Sequence, residues 1–303
     1  MSSRRRFLQL SSAALASSLA LPVLARSATS GAAGGSAAAI AAASDWASLE
    51  KASGGRLGVT LLDTASGRRQ GHRQDERFPM CSTFKAVLAA TVLSKADAGH
   101  LSLDARLPVR VQDLLSHAPV ARRHVGKDLT VRDLCRATMI TSDNTAANLL
   151  LGVVGGPAVV TAFLRASGDP VTRNDRLEPE MNQFTPGDPR DTTSPAAMAA
   201  SLQRLVLGTV LAPASRAQLA DWLVDNETGA DCLRAGLPAR WRVGDKTGSN
   251  GVDTRNDIAV LWPHAGGTPW VLTAYLQGAG GSNVQRDAVL ARVGALADAL
   301  IKP

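Results

Sequence analysis

From residue 57 to 63 the chain alternates, in part, between strand-forming apolar residues and small or polar ones, Leu57-Gly58-Val59-Thr60-Leu61-Leu62-Asp63, and Thr64-Ala65-Ser66-Gly67 follows as a turn. This reads as a strand opening a hairpin, preceded by a short helix over 45–52. From about Thr83 the apolar period lengthens from two to between three and four. It predicts helices over 84–98, 131–139, 145–154, 158–166, 195–206 and 215–224, punctuated by Gly, Pro, Asp and Asn. After Arg240 the strand pattern returns over 241–245, 257–262 and 270–276, and a last helix spans 283–301. Strands at both ends with helices between them read as an α+β protein, with an antiparallel sheet built from both chain ends and a helical insertion. A cleft between two such halves is a usual place for a site.

The N-terminus belongs to neither half. Arg4, Arg5 and Arg6 precede a modest apolar stretch up to Leu24, diluted by serines, and Val23-Leu24-Ala25 is a small-residue cleavage pattern. Residues 1–25 are therefore expected to be a secretory signal, too short and too polar to span a membrane. Ser3-Arg4-Arg5-Arg6-Phe7-Leu8 is similar to a twin-arginine export motif, which predicts a periplasmic protein. Residues 26–43 are rich in Ala, Gly and Ser and read as a low-complexity linker that need not fold. Residues 44–303 then form one unit. Its α/β half covers about 44–80 and 225–303, and its all-α half about 81–224. No membrane span is expected after the signal, and a monomer is the default expectation.

Composition narrows the chemistry. With 303 residues, 45% of them apolar, the chain can bury a sizeable core. A net charge of +7, from 33 basic and 26 acidic residues, suggests nucleic acid only until the three leading arginines are removed. The remainder carries 30 basic against 26 acidic residues, a charge of +4, scattered and with 4% aromatics. No nucleic-acid partner is expected. Cys81, Cys135 and Cys232 form no C-x-x-C pair and read as buried thiols. The five histidines show no metal-ligand spacing, so neither a metal nor another cofactor is expected.

Four motifs carry candidate chemistry. In Ser82-Thr83-Phe84-Lys85 a hydroxyl and an amine three residues apart share a helical face, and Phe78-Pro79-Met80 places Ser82 at the helix start. The amides of a helix start favour a developing oxyanion. The bland alternative is an N-cap, and the chain carries a decoy of the same pattern in Ser48-Leu49-Glu50-Lys51. Lysine is sparse, six against 27 arginines, and only a lysine can give up its proton when buried. Ser142-Asp143-Asn144 is either a helix-capping turn or a second hydroxyl that passes a proton to a leaving nitrogen. In Arg176-Leu177-Glu178-Pro179-Glu180-Met181-Asn182, Glu178 and Asn182 can jointly hold a water, with Glu178 as its base; Glu180 is expected to be exposed or structural. Arg176 and Asp191 can pin the ends of a compact Ω-type loop, and Glu178-Pro179 is a candidate cis bond. Lys246-Thr247-Gly248-Ser249 can lie as a strand beside a substrate, binding its carboxylate with Arg255.

Each motif alone is weak, but the ordered set resembles the class A serine β-lactamases from about Asp45 to Ile301, and most closely the inducible chromosomal enzymes of xanthomonad-type bacteria. Arg190-Asp191-Thr192-Thr193 before Pro195 and Leu233-Arg234-Ala235-Gly236-Leu237-Pro238 extend the likeness. The resemblance implies a five-stranded antiparallel sheet flanked by helices and packed on an all-α half, with hydrolysis of penicillins and cephalosporins and β-lactam resistance. It implies that Ser82 attacks the lactam carbonyl, that amides of Ser82 and Ser249 form the oxyanion hole, and that Ser142 and Lys246 relay the proton to the departing nitrogen. Lys85 and Glu178 are rival acylation bases, and Glu178 activates the deacylating water. His117, Asn144, Asn182, Thr247, Gly248, Ser249 and Arg255 would contact substrate. Sensitivity to clavulanate-type inhibitors is implied as well.

The sequence departs from the family pattern at three places. His117 stands where an aromatic gatekeeper is usual; Ala89 takes the place of the disulfide partner of Cys135; Asn250 takes that of Cys81, which argues against strong carbapenem hydrolysis. The rival readings are a D,D-peptidase, which shares Ser82 and Lys85 but has no Glu-x-x-x-Asn water site, and a β-lactam sensor with a membrane span.

Overall fold

A computed structural model of the protein describes residues 37–301. The segment read as an export signal and the linker up to residue 36 lie outside the described residues. Helix α1 (Ala37–Ser53) leads into β1 (Arg56–Asp63) and β2 (Arg69–His72). A helical series follows: α2 (Phe84–Asp97), α3 (Val131–Ile140), α4 (Asn144–Val154), α5 (Pro157–Ala166), α6 (Pro195–Leu202) and α7 (Pro213–Val224). The chain closes with β3 (Trp241–Ser249), β4 (Arg255–Pro263), β5 (Trp270–Gln277) and α8 (Asn283–Leu300). All five strands pair antiparallel in the order β2-β1-β5-β4-β3, so the two chain ends meet where β1 lies against β5. The expected α+β architecture and five-stranded sheet are what the chain forms. Among the described residues no single helix is long and apolar enough to cross a membrane.

Several expected boundaries are corrected. The helix expected over 45–52 starts at Ala37, so residues 37–43 of the supposed linker are helical; alanine has the highest helix propensity, and the run Ala37–Ala43 is almost all alanine. The helix expected over 195–206 is α-helical only to Leu202 and closes with a π turn, Gln203–Leu207. The strand expected to end at Asp245 continues through Lys246-Thr247-Gly248 to Ser249. Ladder pairing with β4, as far as Ser249 opposite Arg255, overrides the turn propensity of Gly248, and the turn begins only at Asn250.

Burial follows the period of two in the sheet. Val59, Leu61, Ala259, Leu261, Leu272 and Ala274 pack on one face against Trp46 of α1 and Leu290, Val293 and Ala297 of α8. Leu62, Ile258, Val260, Val271 and Tyr275 point the other way, into the core shared with the helices. Each such side chain contributes about 1.5–3 kcal/mol by leaving water. Helix α2 is buried on every side from Phe84 to Leu93, which makes it the central helix of that half. That burial is what takes Lys85 out of water.

Candidate active site

The short 3-10 turn Cys81–Thr83 delivers the chain into α2, and the half-buried Ser82 lies in it rather than at the helix N-cap. Thr83 is the N-cap and makes no side-chain capping bond, so the bland reading of Ser82 as a cap fails. Cys81 holds φ +46°, Ser142 +59° and Asp191 +55°. Ser142 lines the cleft and Cys81 directly precedes Ser82, while Asp191 pins the loop that carries Glu178; backbone strain tends to concentrate at such sites.

Asp143 settles the Ser-Asp-Asn motif both ways. Its carboxylate accepts from Ala146 N at 2.9 Å and so caps α4; it also accepts from Val120 N at 2.9 Å and Ala121 N at 2.8 Å. With Asp143 fixed, Ser142 and Asn144 on either side line the cleft. Lys85 Nζ donates to the Ser142 carbonyl oxygen at 2.7 Å, to Asn144 Oδ1 at 2.5 Å and to Ser142 Oγ at 3.2 Å, and lies 3.4 Å from Glu178 Oε1. Lys85 and Ser82 share a helical face but are not hydrogen-bonded to each other: the Ser82 hydroxyl faces Glu178 Oε1 at 3.5 Å. Burial holds the Lys85 amine below the ordinary lysine range, against the pull of the Glu178 carboxylate.

Glu178 arrives from the loop after α5, and its bond to Pro179 is cis. Asn148 of α4 brackets its backbone, accepting from Glu178 N at 3.0 Å and donating to Glu178 O at 2.8 Å. Asn182 Nδ2 donates to Glu178 Oε2 at 2.6 Å, while Asn182 Oδ1 is buried without a protein partner. Glu180 is exposed. The loop is pinned as expected: Arg176 Nε pairs with Asp191 Oδ2 at 2.5 Å, and Asp191 Oδ1 also accepts from the amides of Asp175 and Arg176. Asp191→Asn keeps the shape and tolerates the positive φ but removes the charge. It is expected to lower thermal stability by about 1–3 kcal/mol; an unchanged melting temperature would show that the ion pair contributes nothing.

Across the cleft, Lys246 Nζ donates to Ser142 Oγ at 3.2 Å and to the Thr247 carbonyl oxygen at 3.0 Å. Burial lowers the Lys246 amine to about 7, with the nearby Lys85 charge adding to it. Behind it Asp245 is fixed by Arg234 and by Asn226 Nδ2, 2.6 Å away, and burial raises both Asp245 and its neighbour Asp257. Strand β3 is the free edge of the sheet and abuts the Ser82 turn at Gly248, where a Cβ would come within 2.7 Å of Met80 O and 3.2 Å of Ser82 N.

Arg255 requires a correction. It lines the cleft, but its guanidinium is partly engaged: Nε pairs with Asp287 Oδ1 at 2.5 Å, and one amino group reaches Cys232 Sγ at 3.1 Å and the Thr228 carbonyl oxygen at 3.3 Å, which leaves the other amino group for a carboxylate. Asp287 sits on α8, 32 residues along the chain, and no local pattern announced it. Thr228 and Asn226 were missed as well, and Arg234 was noted only as part of the likeness; all three lie between predicted elements, where only the fold brings them to β3. His117 is exposed on the cleft wall, its Nε2 bonded to the Thr141 carbonyl at 3.0 Å. Cys81, Cys135 and Cys232 are free and buried. The decoy does not assemble: Ser48 and Lys51 are exposed, and Glu50 is taken by Arg73 and His72.

The cleft encloses about 330 Å³. A wider cleft of about 720 Å³ beside Arg56 and Asp188 gathers no nucleophile with a base, so chemistry rather than volume picks the site. A hydroxyl facing a buried carboxylate, next to a buried amine and a second hydroxyl, is the constellation of a serine acyl-transfer enzyme. The comparisons agree. The model of the "Beta-lactamase enzyme family" matches residues 41–300. Beta-lactamase L2 of Stenotrophomonas maltophilia is 73% identical over 302 residues, 99% of this chain and 100% of that protein. A crystal structure of L2 complexed with relebactam superposes with a TM-score of 0.84 at 77% identity, covering 88% of this chain and 98% of that one. A β-lactamase from Xanthomonas campestris pv. campestris gives 0.86 at 56% identity, covering 88% and 99%. The class A β-lactamase of the last common ancestor of Gram-negative bacteria gives 0.84 at 58%, covering 86% and 100%. This chain belongs to the β-lactamase enzyme family and, within it, to class A.

Proposed function

We propose that the enzyme hydrolyses the β-lactam amide of penicillins and cephalosporins through an acyl-enzyme on Ser82, and so confers β-lactam resistance. The observation that carries this reading is the convergence of Ser82, Lys85 and Asn182 on the Glu178 carboxylate at one cleft. Ser82 Oγ attacks the lactam carbonyl while its proton leaves towards Glu178 Oε1, the acceptor it faces; Lys85 offsets the charge of that carboxylate. The oxyanion forms between the amides of Ser82 and Ser249, each such donor being worth about 2.7–4 kcal/mol. Ser142 Oγ accepts from both Lys85 and Lys246, which leaves its own proton to be given to the departing nitrogen; Lys85 replaces that proton and recovers one from the Glu178 carboxyl, which is thereby ionised again. Glu178 then takes a proton from a water that Asn182 Oδ1 can also hold; that water attacks the ester carbonyl, and as the bond to Ser82 Oγ breaks Glu178 returns the proton to Ser82. A D,D-peptidase lacks this Glu-x-x-x-Asn pair.

Lys246, Thr247, Ser249 and, in part, Arg255 receive the substrate carboxylate. His117 and Asn144 border the substrate side chain. Inhibitors of the clavulanate type would enter the same cleft; the L2 relative was solved with relebactam. The reading includes export to the periplasm by the twin-arginine route, where the drug is met, and a monomer with no metal or cofactor.

The test is time-resolved mass analysis of the protein mixed with excess benzylpenicillin. Hydrolysed drug with the protein back at its native mass is expected; a persistent adduct would point to a D,D-peptidase or a sensor. A pH prediction follows from Lys246. Its lowered amine is charged only below about pH 7, so carboxylate binding weakens as pH rises through that value. The KM for benzylpenicillin should climb above pH 7 while kcat changes less; a flat KM from pH 6 to 9 would remove Lys246 from carboxylate binding.

A further inference from the structure

We infer that Thr228 is a specificity-determining positioning residue, which holds the proton of Thr247 away from the incoming carboxylate. The inference rests on the proposed reading of Thr247 as a carboxylate ligand.

Thr228 lies on the cleft wall between α7 and β3, and its hydroxyl touches Thr247 Oγ1 at 2.5 Å. The direction of that bond follows from counting donors. Thr228 N is a backbone amide and can only donate; its partner at 3.1 Å is Asn226 Oδ1, which fixes the orientation of the Asn226 amide. The other end of that amide agrees, since Nδ2 then donates to Asp245 Oδ2 at 2.6 Å. Asn226 Oδ1 is thus an acceptor, and the Thr228 hydroxyl, 2.8 Å from it, must spend its only proton there. Its oxygen is left as an acceptor towards Thr247. Thr247 therefore donates to Thr228, and a carboxylate that binds Thr247 must draw that proton off and leave two hydroxyl oxygens facing each other without a bridging proton.

The chain Asp245–Asn226–Thr228–Thr247 starts in the buried core and ends in the cleft, so a group with no substrate contact sets how a substrate ligand points. The Thr228 carbonyl also receives an Arg255 amino group at 3.3 Å. One residue thus engages two groups of the carboxylate subsite, and in each case it occupies a donor.

Thr228→Val keeps the shape and removes the acceptor. In stopped-flow single-turnover mixing with benzylpenicillin, it should lower the dissociation constant of the acylation phase by about two- to tenfold and leave the acylation rate constant within about twofold of the parent. Thr228→Ser restores the hydroxyl and should restore the parent constant; Thr228→Ala gives the same readout as Val if the latter folds poorly. In a Thr247→Val background the Thr228→Val gain should vanish. A dissociation constant that is unchanged or raised in Thr228→Val overturns the inference. If Thr247→Val alone leaves binding unaltered, the reading of Thr247 as a carboxylate ligand fails instead, and if the parent does not hydrolyse benzylpenicillin, the proposed function fails.

Discussion

Glu178→Gln should leave the enzyme loaded with drug, with turnover of benzylpenicillin lowered by about 10²–10⁴, the usual contribution of a positioned general base. The substitution is close to isosteric. The Asn148 bonds to the Glu178 backbone survive it, so the loop keeps its anchor. What is lost is the carboxylate's charge and basicity and one of its two acceptor oxygens: the single amide oxygen can face Ser82 and Lys85 or accept the 2.6 Å bond from Asn182, not both. Mass analysis during turnover gives two independent readings. Persistence of the adduct reports deacylation. The rate at which the adduct appears reports which base serves acylation: formation at the parent rate assigns that step to Lys85, and slow formation assigns it to Glu178. Turnover at the parent rate would remove Glu178 from deacylation altogether.

Gly248→Ala should cost about 10²–10³ in kcat/KM, the scale of a lost oxyanion donor. The cause is steric and lies in the backbone. A methyl at 248 would stand 2.7 Å from Met80 O, 3.1 Å from Thr83 N and 3.2 Å from Ser82 N. No flexible side chain is there to move aside; the strand edge and the nucleophile turn must separate, and the two amides proposed for the oxyanion, those of Ser82 and Ser249, belong to that turn and that edge. Because β3 remains paired with β4 along its other edge, the protein should still fold, and circular dichroism should match the parent. Parent-like kcat/KM in a folded Gly248→Ala would mean that the close approach of β3 to the turn plays no part in the chemistry.

Both predictions concern residues that stand out in the sequence, yet the mechanisms invoked were only partly legible there. The Ser82–Lys85 spacing is readable because residues three apart share a helical face, and the apolar residues around Lys85 announce burial. Where the amine points was not readable: it turns to Ser142, Asn144 and Glu178, which come from two other segments. Glu178 and Asn182 are four residues apart and meet inside their own loop, so their pairing was local. The link from Arg255 to Asp287 joins β4 to the last helix, and the link from Thr228 to Thr247 joins a loop to a strand, so neither leaves a periodic mark.

The sequence by itself determined the class of fold, through the change of apolar period from two to about 3.6 and back, and the identity of the reacting groups, through four short motifs whose members lie within a few residues of one another. Tertiary structure alone decided the state of those groups: which amine is buried enough to fall to about pH 7, which guanidinium is already engaged, and which hydroxyl gives its proton to which neighbour. The reason is range. Periodicity and capping act over a few residues and are written along the chain, whereas desolvation and hydrogen-bond direction depend on every atom within several ångströms, and those atoms come from segments tens of residues apart.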